Sequence, residues 1–169
     1  MGKQMILMAV LASILIVLLF LLAGAASSGK GDDALVAYPE NYREWFHVKS
    51  MVIQEGHPLY DPFGGLHHIY ANKLALRAME EGKPYPDGAV LIFDLLEVKS
   101  GDDAIVEGSR KLVGAMQKDS KRFAETGGWG FEGFRGDTKE RMVSDPKNAC
   151  FACHQSQKGS DYVFSQYRN

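Results

Sequence analysis

Ala89-Val90-Leu91-Ile92-Phe93-Asp94-Leu95-Leu96-Glu97-Val98 is the stretch on which the fold turns. Apolar and β-branched residues run through it almost without interruption, the pattern of a strand buried on both faces rather than half exposed. Pro84, Pro86, Asp87 and Gly88 mark a turn before it, and Gly101, Asp102 and Asp103 mark another after it. This is the expected central strand, and the other elements are placed outward from its two turns.

Downstream, Lys111 to Gln117 is predicted as a strand with Leu112, Gly114 and Met116 on one face. Gly127 to Phe134 is the last predicted strand, with Trp129 and Phe131 on one side and Glu132 and Phe134 on the other. Upstream, Asn72 is a predicted N-cap for a short helix carrying Leu74, Ala75, Ala78 and Met79, which Gly82 ends in a left-handed conformation. Leu66 to Ala71 and Val48 to Gln54 are further strands, separated by an irregular loop from Gly56 to Gly65. Pro39 to His47 reads as the start of a short amphipathic helix with Tyr42, Trp45 and Phe46 as its apolar positions.

Near the C-terminus stands Cys150-Phe151-Ala152-Cys153-His154, which holds both of the chain's 2 cysteines. Two thiols about one helical turn apart can add across the two vinyl groups of a porphyrin while the adjacent imidazole becomes an axial iron ligand. The run therefore predicts covalent attachment of one haem c per chain, and Ser144, Asp145 and Pro146 read as the start of a helix that bears it. Two other chemistries use the same residue types. A thioredoxin-like dithiol wants a βαβ setting, whereas this pair precedes a short polar tail. A structural zinc-binding module would need a fourth ligand and would have to share one tetrahedral metal between adjacent Cys153 and His154.

No segment before this motif shows the long 3.6-residue periodicity of a helical bundle. The expected fold class is α+β, mainly β: an antiparallel sheet with a few short helices and a C-terminal haem-bearing helix packed over one sheet face.

Residues 1–26 read as a signal peptide or membrane anchor. The 22 residues from Met5 to Ala26 are apolar apart from Ser13 and Gly24 and end in Ala23-Gly24-Ala25, a small-residue cleavage pattern. As a helix they would span about 33 Å, enough for a bilayer core of about 30 Å, so an uncleaved anchor is the alternative. Residues 27–38 read as a linker and 39–169 as one haem domain, a size that supports a single core. The remainder is expected outside the cytoplasm, periplasmic or otherwise extracytoplasmic, with membrane contact only through an uncleaved N-terminal segment. The formal net charge of −2 becomes −3 once Lys3 leaves with the leader, and no Lys or Arg block suggests nucleic acid.

Tyr42, Arg43 and Trp45, then Asn72 with its alanine-bearing helix, then Pro86-Asp87-Gly88-Ala89-Val90, then Gly127-Gly128-Trp129-Gly130-Phe131, then Cys150 to His154 follow one another in an order that resembles the cytochrome P-460 family. The resemblance runs from Tyr42 to Gln155. It implies a mostly β, usually homodimeric c-type cytochrome with a proximal histidine and an open distal side facing the sheet. It also implies one of two behaviours. Members like the type enzyme oxidise hydroxylamine and carry a lysine cross-linked to the porphyrin; the cytochrome c′-beta branch lacks the cross-link and binds nitric oxide or similar ligands. The cross-linking lysine belongs to the strand after the Pro-Asp-Gly turn, which here is Val90 to Val98 and contains no lysine. Phe93 or Asp94 occupies that neighbourhood, while Lys73 and Lys99 flank it.

Cys150, Cys153, His154, Phe93, Trp129 and Phe131 are thus the expected cofactor-binding residues, with His154 on the metal. Met116, Met51, His67 and His68 are candidates for a sixth iron ligand. In a strand from Leu66 to Ala71, His67 and His68 face opposite ways, so at most one can face the haem. Candidate catalytic residues are His67 or His68 for distal hydrogen bonding or proton transfer, and Asp94 or Glu132 as proton acceptors on an inward face. The expected function is binding of a small gaseous or nitrogen-oxide ligand or transfer of single electrons to a redox partner protein. Oxidation of hydroxylamine or nitric oxide is the enzymatic alternative.

Overall fold

The computed structural model of the chain describes residues 35–168. The proposed leader, and residues 27–34 of the proposed linker, lie outside the described residues. Among the described residues no helix is long and apolar enough to cross a membrane.

Five strands form one sheet: β1 (Phe46–Ile53), β2 (Gly65–Ala71), β3 (Val90–Gly101), β4 (Ala104–Lys118) and β5 (Trp129–Arg135). Their spatial order follows the chain and every neighbouring pair is antiparallel, so the mainly β expectation holds. β3 lies at the centre, as its unbroken apolar run requires, with Leu95 and Ile92 at 0% and 1% exposure. Fully burying side chains of this kind contributes about 1.5–3 kcal/mol each.

Short helical pieces connect or cap the sheet. α1 (Tyr60–Phe63) sits inside what sequence reasoning treats as an irregular loop. α2 (Lys73–Glu81) follows β2, and the Asn72 side chain accepts from the Ala75 N–H at 2.9 Å. Gly82 ends α2 at φ 60°, where its N–H reaches the Ala78 and Met79 carbonyls. The C-terminal helical piece is compound: a π-turn at Lys147–Phe151 runs into α3 (Ala152–His154) and then a 3-10 stretch at Gln155–Ser160. Asp145 starts it by accepting from the Asn148 N–H at 3.2 Å.

Two expectations need correction. Pro39 to His47 is not an amphipathic helix; only Tyr42–Glu44 make a 3-10 turn, Trp45 is already extended, and Phe46 begins β1. β4 starts at Ala104 rather than Lys111, because the Gly101 to Ala104 turn pairs the strands at once. Gly108, Ser109 and Arg110 had hidden the period-2 pattern there.

Pairing fixes which residues share a face. Across β2, β3, β4 and β5, His67, Leu95 and Leu112 align, as do Ile69, Phe93, Gly114 and Gly133, and Ala71, Leu91, Met116 and Phe131. These make one face, and the C-terminal piece packs on it: Leu91, Met116, Trp129, Phe131 and Phe151 belong to one core cluster. The other face carries Tyr70, Ile92, Val113 and Phe134, covered by Val36, Tyr38 and Tyr42.

Candidate functional site

The π-turn delivers Cys150, Cys153 and His154 to the sheet. Wide i→i+5 turns are uncommon and recur at functional sites. Cys150 is half-buried and Cys153 exposed, and both are free thiols. Burial, assisted by the Glu132 charge, pushes the Cys150 thiol up to about 11. It therefore stays protonated at neutral pH, a state poorly suited to metal ligation, which needs thiolate. Among the described residues no group of three or more His, Cys, Asp or Glu is placed to hold a metal ion.

His154 is held from three sides. Its Nδ1 donates to the Tyr162 carbonyl at 2.7 Å, since a carbonyl only accepts. That bond fixes the tautomer and leaves Nε2 with a free lone pair, the arrangement of a metal-ligating imidazole. Phe131 packs against the ring at 4.9 Å between centroids and Phe164 edge-on at 5.1 Å. Burial lowers the His154 pKa below the usual histidine range, with the Tyr162 bond opposing it, so the ring is held in its ligating form.

Farther along the same face, His67 pairs with Leu95 and Phe93 pairs with Gly114. The His67 ring lies on Phe93 at 4.6 Å, and Phe63 meets Phe93 edge-on at 5.6 Å. His67 is 2% exposed and its Nδ1 has no hydrogen-bond partner among the described residues. Burial, then the nearby charge of Lys49, pushes its pKa down to about 4. An orphaned buried nitrogen is costly unless a ligand completes it. Gly114 stands opposite Phe93, whose side chain packs close over it: a Cβ there would meet the Phe93 Cβ at 3.4 Å. Two thiols, an imidazole with Nε2 free, an aromatic wall and an unpartnered histidine fit a haem.

Other expected site residues have structural roles or lie on the opposite face. His68, Asp94 and Glu132 all lie on the opposite face. His68 sits between Ser50 Oγ and Glu107 Oε1, both at 2.6 Å, so it is neither a distal residue nor an iron ligand. Asp94 is 0% exposed and accepts from Arg43 Nε at 2.9 Å and Arg110 Nε at 2.7 Å. Glu132 accepts from Arg141 Nη1 at 2.7 Å and from the Gly133 and Val143 N–H groups, fastening residues 141–143 to β5. Both carboxylates are structural anchors. Met116 and Met51 share the face of His67: Met116 is core beside Trp129, Phe131 and Phe151, and Met51, paired with His67 across β1 and β2, is 41% exposed. Trp129 is fully buried against Tyr85 and donates from Nε1 to the Asp161 carbonyl, so it anchors the C-terminal piece rather than lining an open wall. Lys73 and Lys99 are exposed, on α2 and the far end of β3.

Sequence reasoning missed Lys49, Gly114, Asp161 and Tyr162. Lys49 comes to the face of His67 because a register shift between His47 and Lys49 interrupts alternation in β1. Period-2 alternation gives the face of Gly114, but that Phe93 packs over it depends on the pairing of β3 with β4. Tyr162 matters through its backbone carbonyl, for which side-chain chemistry gives no signal, and Asp161 through a carboxylate whose partners, Lys118 Nζ and the Tyr85 N–H, only the fold brings to it.

Residues 39–165 match the family described as Cytochrome P460. No curated protein matches the chain.

Proposed function

The chain belongs to the cytochrome P460 family of c-type haem proteins, and from that premise we propose that it binds small nitrogen-oxide ligands at one covalently held haem. Cys150 and Cys153 supply the thioether sulfurs and His154 Nε2 the protein ligand to iron. The haem, when bound, supplies a redox-active iron with a position available to a diatomic or similar ligand. The observation that carries this reading is His67: a neutral, buried imidazole with one unpartnered nitrogen, on the sheet face that receives the C-terminal piece.

Each neighbour has a task in that reading. His67 stays neutral across the physiological range and offers a hydrogen bond to a ligand. Lys49 adds positive charge beside it, favouring ligands that gather negative charge on binding. Phe93 and Phe63 exclude water and lower the local dielectric, which strengthens both effects.

Binding is favoured over oxidation of hydroxylamine or nitric oxide because oxidation needs a proton acceptor at the ligand. His67 is too weak a base near neutral pH, and the carboxylates Asp94 and Glu132 lie on the other face. Single-electron transfer to a partner protein is a compatible second role, supported by the exposure of Cys153 at the attachment edge. The protein is proposed to work outside the cytoplasm, as a homodimer.

Absorption spectra of protein matured with c-type haem machinery, taken ferric and ferrous before and after nitric oxide, test this proposal. A high-spin ferrous form that converts on exposure to the gas is expected. A low-spin form indifferent to it, or a colourless zinc-loaded product, would overturn the reading.

A further inference from the structure

We propose that Asp161 is a positioning residue for the iron-binding histidine, acting through the backbone carbonyl of Tyr162; this rests on His154 being the axial ligand. The 3-10 stretch ends in two successive non-glycine residues with positive φ, Asp161 at 50° and Tyr162 at 66°. Left-handed backbone is disfavoured for residues with a Cβ, and most of all for bulky ones. Two in a row persist only where the surroundings over-determine them, and such places cluster at functional sites.

The surroundings here converge on Asp161. Its carboxylate accepts from Lys118 Nζ at 2.7 Å and from the Tyr85 N–H at 2.9 Å. Its carbonyl accepts from Trp129 Nε1 at 2.8 Å, and its own N–H donates to the Lys158 carbonyl at 3.2 Å. The three outside partners come from the end of β4, the start of β5 and the loop before β3, so the turn is tied to the sheet at three points. Lys118 is held in turn: it is 8% exposed, donates also to the Gly127 carbonyl at 3.1 Å, and sits 5.0 Å from the Trp129 ring centroid.

Tyr162 completes the lock. Its N–H donates to the Gln157 carbonyl at 2.8 Å, and its ring packs on Phe151 at 5.2 Å beside Gly127. With both residues held left-handed, the Tyr162 carbonyl turns back onto His154 Nδ1. A hydrogen bond at that nitrogen orients the ring and raises its basicity as a ligand, which favours oxidised over reduced iron. Lys118 and Asp161 are buried together where the net stability of an ion pair is small, and fixing a conformation is the best-supported use of such a pair.

The test uses the haem-loaded protein and reads the ferrous iron–imidazole stretching band and the midpoint potential. Asp161→Ala and Lys118→Met should each lower the stretching frequency and raise the potential. The expected shift is about tenfold in the ferric-to-ferrous equilibrium for Asp161→Ala, equal to about 59 mV for a one-electron couple. Asp161→Asn, which keeps an acceptor oxygen and tolerates left-handed backbone, should return both readouts toward wild type. Should Asp161→Ala fail to accumulate, Lys118→Met carries the test alone. Unchanged band and potential in the variants would overturn the positioning role. If His154→Ala retained the wild-type iron–imidazole band, the axial assignment itself would fall, a distinct result.

Discussion

His67 and Phe93 pack ring against ring at 4.6 Å on one face of the sheet, and the buried histidine Nδ1 has no hydrogen-bond partner among the described residues. Asp94, the very next residue, turns to the opposite face and is clamped by two arginines. One residue of register separates the proposed ligand face from a structural ion network.

The first prediction concerns the ligand. His67→Phe keeps the stacked aromatic volume but removes the only hydrogen bond proposed for a bound nitrogen oxide, worth about 1 kcal/mol net. The nitric oxide dissociation rate, measured by stopped-flow trapping, should rise about fivefold with little change in the unliganded spectrum. An unaltered rate would remove His67 from the distal site.

Stability should depend on pH through the same residue. Burial holds its folded pKa at about 4, beneath the unfolded value of about 6.5, so the unfolded chain takes up the proton first. Stability is therefore lost as pH falls from about 6.5 to about 4, by at most about 3 kcal/mol, and levels off below that window. Urea midpoints across this range should slope more steeply in wild type than in His67→Leu.

Asp94 is expected to matter for folding and not for ligand chemistry. Removing the carboxylate leaves Arg43 and Arg110 without their shared buried partner, and Asp94→Ala should cost about 3–5 kcal/mol. Denaturant unfolding would report that loss, while the ferrous nitric oxide spectrum of the surviving folded fraction should match wild type.

Much of this was open to sequence reasoning, and the failures have specific causes. β3 announces itself because Pro86, Gly88 and Gly101 bracket an unbroken apolar run. The Asn72 cap and Gly82 stop are local chemistry and were found where expected. Opposed faces for His67 and His68 followed from period-2 alternation alone. The same alternation forbids Phe93 and Asp94, or Phe131 and Glu132, from sharing a face, but which partner faces the C-terminal piece depends on long-range pairing. The helix expected from Pro39 to His47 failed because Tyr42 and Trp45 bury against the sheet from a 3-10 turn and an extended residue. The Tyr162 carbonyl could not have been found at all, since its role depends on a backbone angle.

Gly127 gives a stability test beside the attachment turn. It has φ 67°, and a Cβ there would collide with the Tyr162 ring. Gly127→Ala should lose about 1–3 kcal/mol from strain and overpacking, seen as a lowered unfolding midpoint. Because Tyr162 must move, the iron–imidazole band should shift as well. Gly136→Ala, at another positive φ (51°) where a Cβ would come no closer than 3.4 Å to the Arg110 carbonyl, should leave that band in place.

The most direct test of the central claim is the mass of the peptide containing Cys150 to His154, released from protein matured with c-type haem machinery. It should carry one iron porphyrin joined through both sulfurs, and the double variant with Cys150→Ala and Cys153→Ala together should abolish the adduct. A peptide of unmodified mass, with both thiols still free to alkylate, would contradict it.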